Sequence, residues 1–292
     1  MTHDAPRTDV TATTPDSTAW PQPPRGATRR SPGSLLALGL ALAGGTLHLP
    51  QTGAQELRPA GAPPVGGATV TVGLSLARMP RFDGAAHDRT RALPLLSYRS
   101  GRFFADPLLG VGYDLSNLDG WQLGPMLAYR FGRKAHDDAH LQGLGDIAGG
   151  LDLGGFARRS LGPIQLQATL RQGVSGQARG TQLKLGASYT LAAGLNDRLV
   201  LDASVDWADR TVMQGLFGVT VAQSARSGLP QHDVGAGVRR FGSGVLWTHA
   251  LTPQWFSTAG LTLHRLGDNT ATSPVAQKRH TSMMVLGLGL RF

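Results

Sequence analysis

Three sets of side chains in this 292-residue sequence could do chemistry. His136-Asp137-Asp138-Ala139-His140 places two imidazoles and two carboxylates side by side, the donor types that divalent metals accept. Two rings four residues apart share a face only on a helix. The stretch is polar and lacks a helical period, so it reads as a solvated loop, and no metal is expected. His249 and His264 fall on strand-like segments, and no Ser or acid is read in register with either to complete a triad. The third set is Asp114, Arg130, Asp152, Arg158, Arg171, Lys184, Asp202 and Asp206, all on the polar side of alternating segments. Such charges face one compartment. In a narrow, water-poor space opposite charges pair, because an unpaired charge there is costly. They make either a salt-bridged interior or a selective pore, and the pairing argument favours the first. The sequence holds no G-x-S-x-G, no P-loop and no G-x-G-x-x-G opening a helix. Neither an enzyme nor a cofactor is expected.

The elements that must position these residues are strands. In Thr181–Leu191, Leu183, Leu185, Ala187, Tyr189 and Leu191 share one face, opposed by Gln182, Lys184, Gly186, Ser188 and Thr190. The same period of two recurs in 68–77, 121–131, 164–171, 198–209 and 283–292. Turn residues separate the runs: Asn117-Leu118-Asp119-Gly120, Leu161-Gly162-Pro163, Gly194-Leu195-Asn196-Asp197 and Leu251-Thr252-Pro253. Longer polar stretches, 81–90, 133–145, 173–180, 210–234 and 267–280, alternate with them. No period of 3.6 is sustained, so the chain is read as nearly all β.

A water-soluble sandwich also alternates. Segments of about 9 to 12 residues suit a tilted strand crossing a bilayer. Trp121, Tyr129, Phe131, Tyr189, Trp207 and Trp255 sit near the ends of apolar stripes, where an interfacial girdle belongs. The opposite face carries charge and Gly. Met284, Leu286, Leu288, Leu290 and Phe292 form a last stripe, with Gly287, Gly289 and Arg291 behind it. This reads as an antiparallel transmembrane β-barrel over 68–292. The count is near eleven; closure of a single chain favours an even number, twelve with ten as the alternative. The even count requires one segment to be reassigned, and the stretches 93–115, with Pro94 and Pro107, and 211–222 are where that falls.

Leu35–Ala43 is the one uncharged apolar run and is too short to span a bilayer, which takes about 20 residues. Arg25, Arg29 and Arg30 precede it and Thr52-Gly53-Ala54 follows, the order of a secretory signal. Residues 1–54 are therefore read as a disordered leader plus signal peptide, and 55–67 as a flexible lead-in. The absence of Cys excludes disulfides, thiol chemistry and a lipoprotein anchor. The net charge is +9, from 28 basic and 19 acidic residues, and the basic residues are scattered, mostly singly, which suits anionic lipid and lipopolysaccharide rather than nucleic acid.

Four stretches resemble the MipA/OmpV family, the MltA-interacting proteins and relatives. Leu93-Pro94-Leu95-Leu96-Ser97-Tyr98-Arg99 with Gly101-Arg102-Phe103-Phe104 is one. Gly112-Tyr113-Asp114-Leu115 with Leu123-Gly124-Pro125-Met126-Leu127-Ala128-Tyr129-Arg130 is another. Gly143-Leu144-Gly145-Asp146-Ile147 with Gly149-Gly150-Leu151 is the third. The most specific is Phe217-Gly218-Val219-Thr220, Gln223-Ser224 and Ser227-Gly228-Leu229-Pro230, because it lies in a loop where pattern alone dictates nothing. The end of the chain, with Gly287, Leu290 and Phe292, resembles the signal read by the outer-membrane barrel assembly machinery. The resemblance implies residence in the cell outer membrane. It also implies a scaffold linking a murein lytic transglycosylase to a murein synthase, with adhesion or permeability attributed to other members. A small passive channel and a surface adhesin using 210–234 stay open beside the scaffold.

The signal reading predicts that mature protein recovered from membranes begins at Gln55. N-terminal peptide mapping checks this, and a mature N-terminus upstream of Arg25 overturns it.

Overall fold

The computed structural model describes Met1 and residues 67–107, 109–115 and 120–292. The leader, the signal sequence, most of the lead-in and the Asn117-Leu118-Asp119 turn lie outside them. The described chain forms twelve strands in a closed antiparallel barrel, each bonded to the next in sequence and the last to the first. They are β1 Thr69–Pro80, β2 Asp88–Ser100, β3 Phe103–Asp106, β4 Gly110–Tyr113, β5 Trp121–Arg130 and β6 Gly150–Leu161. The rest are β7 Ile164–Gly173, β8 Thr181–Ala192, β9 Asp197–Ala208, β10 Gly237–Ala250, β11 Trp255–Leu266 and β12 His280–Arg291.

Closure is made at the β1–β12 seam, in register from Thr71 opposite Arg291 to Arg78 opposite Met284. Beyond the strand, the Phe292 N–H donates to the Val70 carbonyl at 2.9 Å and the Val70 N–H returns a bond to the Phe292 carbonyl at 3.1 Å. The alternation puts Leu74, Leu76, Leu153, Leu185, Leu201 and Leu286 on the outer face, Leu286 at 64 % exposure. An apolar surface this continuous is untenable in water and is what a bilayer covers. Tyr98, Tyr113, Trp121, Tyr189, Trp247 and Trp255 lie outside it toward one end, and Tyr129 and Phe241 toward the other.

The stretch around Pro94 is wall, not an interruption. The Arg81 N–H bonds the His87 carbonyl, so odd-numbered residues of β2 carry the bonds to β1. Position 94 would donate to the other side, where β3 pairs only with Tyr98–Ser100. Proline there forfeits no bond. Strand β2 also begins at Asp88, inside the stretch read as a polar loop.

Residues 211–222 are not strand. Helix α1 (Arg210–Phe217) starts on Asp209, whose carboxylate accepts from the Val212 N–H at 3.0 Å. Helix α2 (Val221–Ser227) starts on a capping box between Thr220 and Gln223. With α3 (Asp268–Ala271) they are short helical exceptions in a chain that is otherwise strand, as the nearly all-β reading expected. Each is too short to print a 3.6 period on the sequence. The short turns 162–163, 193–196 and 251–254 share one end of the barrel with Thr69 and Phe292; the long connections share the other.

The seam predicts that deleting Phe292 lowers the yield of folded, membrane-inserted barrel far more than Ser227→Ala, because it removes two backbone bonds and an outer ring. Heat-modifiable gel mobility of membranes from expressing cells is the readout. Wild-type levels after the deletion overturn the assembly role.

Candidate functional site: a charged lumen under a folded cap

An alternating strand should send only one of two successive residues inward. The β9–β10 register shifts between Val238 and Arg240, a bulge that buries both Arg239 and Arg240, at 3 % and 2 % exposure. Arg240 donates through Nε to Asp206 Oδ2 at 2.8 Å and through Nη1 to Asp83 Oδ1 at 2.7 Å. Arg239 Nη2 donates to the same Asp206 oxygen at 3.3 Å, and its Nη1 stands 3.8 Å from Asp83. Asp83 belongs to the 81–87 connection, so this knot of four charges ties a loop to the wall. Burial pushes the Asp83 carboxyl up, but Arg240 and Arg239 outweigh it and hold it below the ordinary carboxylate value.

A second knot lies across the barrel. Arg130 Nε donates to the buried Asp152 at 3.0 Å, and its other nitrogens reach the carbonyls of Ser175 and Gln177 in the 174–180 connection. Arg133 Nη1 donates to the Leu216 carbonyl of α1 at 2.7 Å. Burial pushes this guanidinium down to about 10, with Asp83 acting in the opposite sense.

These ties hold a cap with its own apolar core. Phe82, Ala85, Leu141, Leu144, Val219 and Val275 form one buried cluster; Val212, Met213, Phe217, Val234 and Leu266 anchor another. Gln223 Nε2 donates to the Leu144 carbonyl at 2.7 Å and Arg226 Nε to the Gly143 carbonyl at 3.2 Å, joining α2 to the 131–149 connection. Between cap and wall remains a cavity of about 50 Å³, bordered by Phe82, Asp83, Arg130, Arg133, Gln182 and Arg239. That space admits water and little more. The turn end opens instead into a recess of about 1180 Å³ bordered by Gln165, Thr190, Arg198, Phe256 and Arg291.

The two carboxylates of the His136–His140 stretch are tied into the cap, while His136 and Ala139 stay exposed as a solvated loop would leave them. Asp138 is buried and accepts from the His140 N–H at 3.0 Å, Arg89 stands 3.4 Å from Asp137, and Arg81 donates to the Asp137 carbonyl at 3.0 Å. Among the described residues no group of three His, Cys, Asp or Glu could hold a metal.

Of the eight lumen candidates, the structure brings Arg130 to Asp152 and sets Lys184 opposite Asp206 across β8 and β9. Arg171 sits on β7, one strand from Lys184. Asp202 lies in register with Gly244, where a Cβ would fall 2.4 Å from its carboxylate, so that glycine makes room for the acid. Arg158 lies further toward the turn end, stacked at 5.5 Å over Phe104 and 5.0 Å over Phe156. Asp114 follows β4 at that same end, its N–H bonded to the Arg102 carbonyl at 2.8 Å.

A family model described as MltA-interacting protein MipA matches residues 72–292. The chain belongs to the MipA family. No curated protein matches it. Among solved structures it is similar to an outer-membrane channel from Pseudomonas putida F1, at 14 % identity and a TM-score of 0.43 over 81 % of this chain and 100 % of that one. It is similar to the KdgM porin at 9 % identity and 0.42 over 76 % and 99 %, and to the NanC porin at 7 % and 0.38 over 77 % and 99 %.

In this MipA-family barrel the sequence reading missed Asp83, Arg239 and Arg240. The adjacent arginines inside an alternating segment were the available signal for a bulge. It also found no acid or serine in register with His249. That is corrected: Asp197 stands opposite His249 on one side and Ser257 on the other.

Arg240→Ala is expected to leave Asp83 and Asp206 short of a buried partner and to cost about 3–5 kcal/mol. Hydrogen exchange should quicken first in 81–87 and 209–217. Because the Asp83 pKa is lowered, its contribution is fully present above the unfolded value of about 3.9 and is lost as pH falls through the lower folded value. Wild-type cap protection should therefore hold at pH 5 and weaken as the pH falls below about 3.9. Exchange in 81–87 that ignores both changes overturns the knot.

Proposed function

We propose that this MipA-family chain is an outer-membrane barrel whose closed lumen serves stability, and whose task is to scaffold envelope partners. The observation that carries the reading is the cap. Two buried apolar clusters and the buried Arg133, Arg239 and Arg240 fill the loop end, and a passive solute path has to cross them. Short turns belong to the periplasmic side of such barrels and long connections to the outside. With that orientation the turns and the recess face the periplasm, where murein enzymes work, and lipid and lipopolysaccharide cover the apolar belt. The family description names an interaction with MltA. For this chain we extend it to a murein lytic transglycosylase and, through it, a murein synthase. The reading gives the lumen no catalytic task. Val212, Met213 and Phe217 are buried in the cap, which speaks against 210–234 as a free adhesive loop.

Full-length protein in planar bilayers is expected to give no steady conductance, whereas replacing 210–234 with a short Gly-Ser linker should produce open events. The intact barrel should retain a purified murein lytic transglycosylase on a column. Steady wild-type conductance at neutral pH overturns the closed lumen, and failure to retain the enzyme overturns the scaffold.

A further inference from the structure

The closed ladder creates an arrangement on the outer face that does not involve the lumen. Asp197 on β9, His249 on β10 and Ser257 on β11 stand in one cross-strand row. Their neighbours along the strands, Leu199, Trp247 and Trp255, point outward, so the row faces the bilayer side at the turn end, within the aromatic belt. We propose that this row is a serine hydrolase site for the acyl esters of membrane glycerophospholipids.

The ladder explains the spacing. The Ala250 N–H bonds the Asn196 carbonyl at 2.8 Å, so the neighbouring pair His249–Asp197 is the close, non-hydrogen-bonded kind. His249 Nδ1 and Asp197 Oδ1 are 2.8 Å apart. Trp247 Nε1 donates to that same oxygen at 2.8 Å, and its ring stacks on the imidazole with centroids 5.7 Å apart and planes at 29°. The carboxylate thus selects the tautomer with Nδ1 protonated and leaves the Nε2 lone pair for a base. The Leu251 N–H bonds the Trp255 carbonyl, which makes His249–Ser257 the wider, hydrogen-bonded kind of pair, about 5.5 Å between Cα atoms. Among the described residues no hydrogen bond engages the Ser257 hydroxyl, and apo sites commonly tighten this contact only with substrate. Side-chain exposures of 33 % for His249 and 30 % for Asp197 leave the row open to its surroundings. At the aromatic belt those surroundings are the headgroup level of the bilayer, where ester carbonyls lie.

In the reaction, Ser257 Oγ attacks the ester carbonyl as its proton passes to His249 Nε2. The tetrahedral intermediate expels the lysophospholipid alkoxide, which takes that proton, and leaves an acyl-serine. Water, deprotonated by the same nitrogen, releases the fatty acid and restores the serine. The site is independent of the scaffold reading, since its readout is lipid chemistry and not conductance or retention of an enzyme.

The test uses full-length folded protein in vesicles of phosphatidylethanolamine and phosphatidylglycerol. A fluorophosphonate probe should label Ser257, located by peptide mass, and the vesicles should release fatty acid. Ser257→Ala should abolish both. Asp197→Asn and His249→Gln should slow labelling about 100-fold. Ser243→Ala, on the outer face of β10, should retain both. Heat-modifiable mobility certifies that each variant is folded. Folded wild-type protein that is unlabelled at Ser257 and releases no fatty acid overturns the proposal, as does wild-type release from Ser257→Ala.

Discussion

Inside hydrocarbon no water completes a broken ladder, and each unpaired backbone group costs several kcal/mol. The β1–β12 seam removes that cost, and the rest of the molecule depends on it. Once Thr71 is opposite Arg291 and Met284 opposite Arg78, every inner and outer face around the barrel is determined, because a slip of one residue would exchange them. A slip would send Leu286 and Leu288 into the lumen and expose Gly287 and Gly289 to lipid. The two thinnest strands, β3 and β4, are tolerable only because the ladders on both sides carry the closure around them.

Closure also creates the problem that the lumen solves. Inward positions are enclosed, so their charges either pair or go unmet. Truncating one member of a buried pair is costly even where the pair itself adds little net stability. The knot of Asp83, Asp206, Arg239 and Arg240 is therefore better understood as a positional device than as a source of stability. Its geometry fits a single placement of the 81–87 connection, and the apolar clusters above then pack on a base already in place. The bulge at Val238 is what makes it possible, since regular alternation would have aimed one of the two arginines at lipid.

What was legible in the sequence is what period two controls: the barrel class, the strands β1, β5, β7, β8, β9 and β12, the outer stripe ending at Phe292. What was not legible is contact across long separations. Asp83 and Arg240 are 157 residues apart, and nothing local to either announces the other. Pro94 argued against a strand until the shortness of β3 showed that its missing N–H has no bond to make. The helices of the cap are a turn or two long, below the length at which periodicity can be told from composition. His136–His140 resembled a solvated loop because its partners Arg81 and Arg89 come from a different hairpin.

The outer row shows the same limit from the other side. Alternation places Asp197, His249 and Ser257 on outward faces one strand at a time, but whether they meet depends on register. Register here is set by two turns, 193–196 before β9 and 251–254 between β10 and β11, together with the β9–β10 ladder, which shifts at the bulge. The bulge adds one residue to β10 near the loop end; without it, every β10 residue between bulge and loop would keep the pairing seen below it. The turn-end register, where His249 lies, is instead held by the 251–254 hairpin and by the bond from Ala250 to Asn196. The lumen knot and the outer row are thus anchored at opposite ends of the same strand, by different bonds. The cap can loosen at low pH without moving the row, and chemistry at the bilayer face need not disturb the seal.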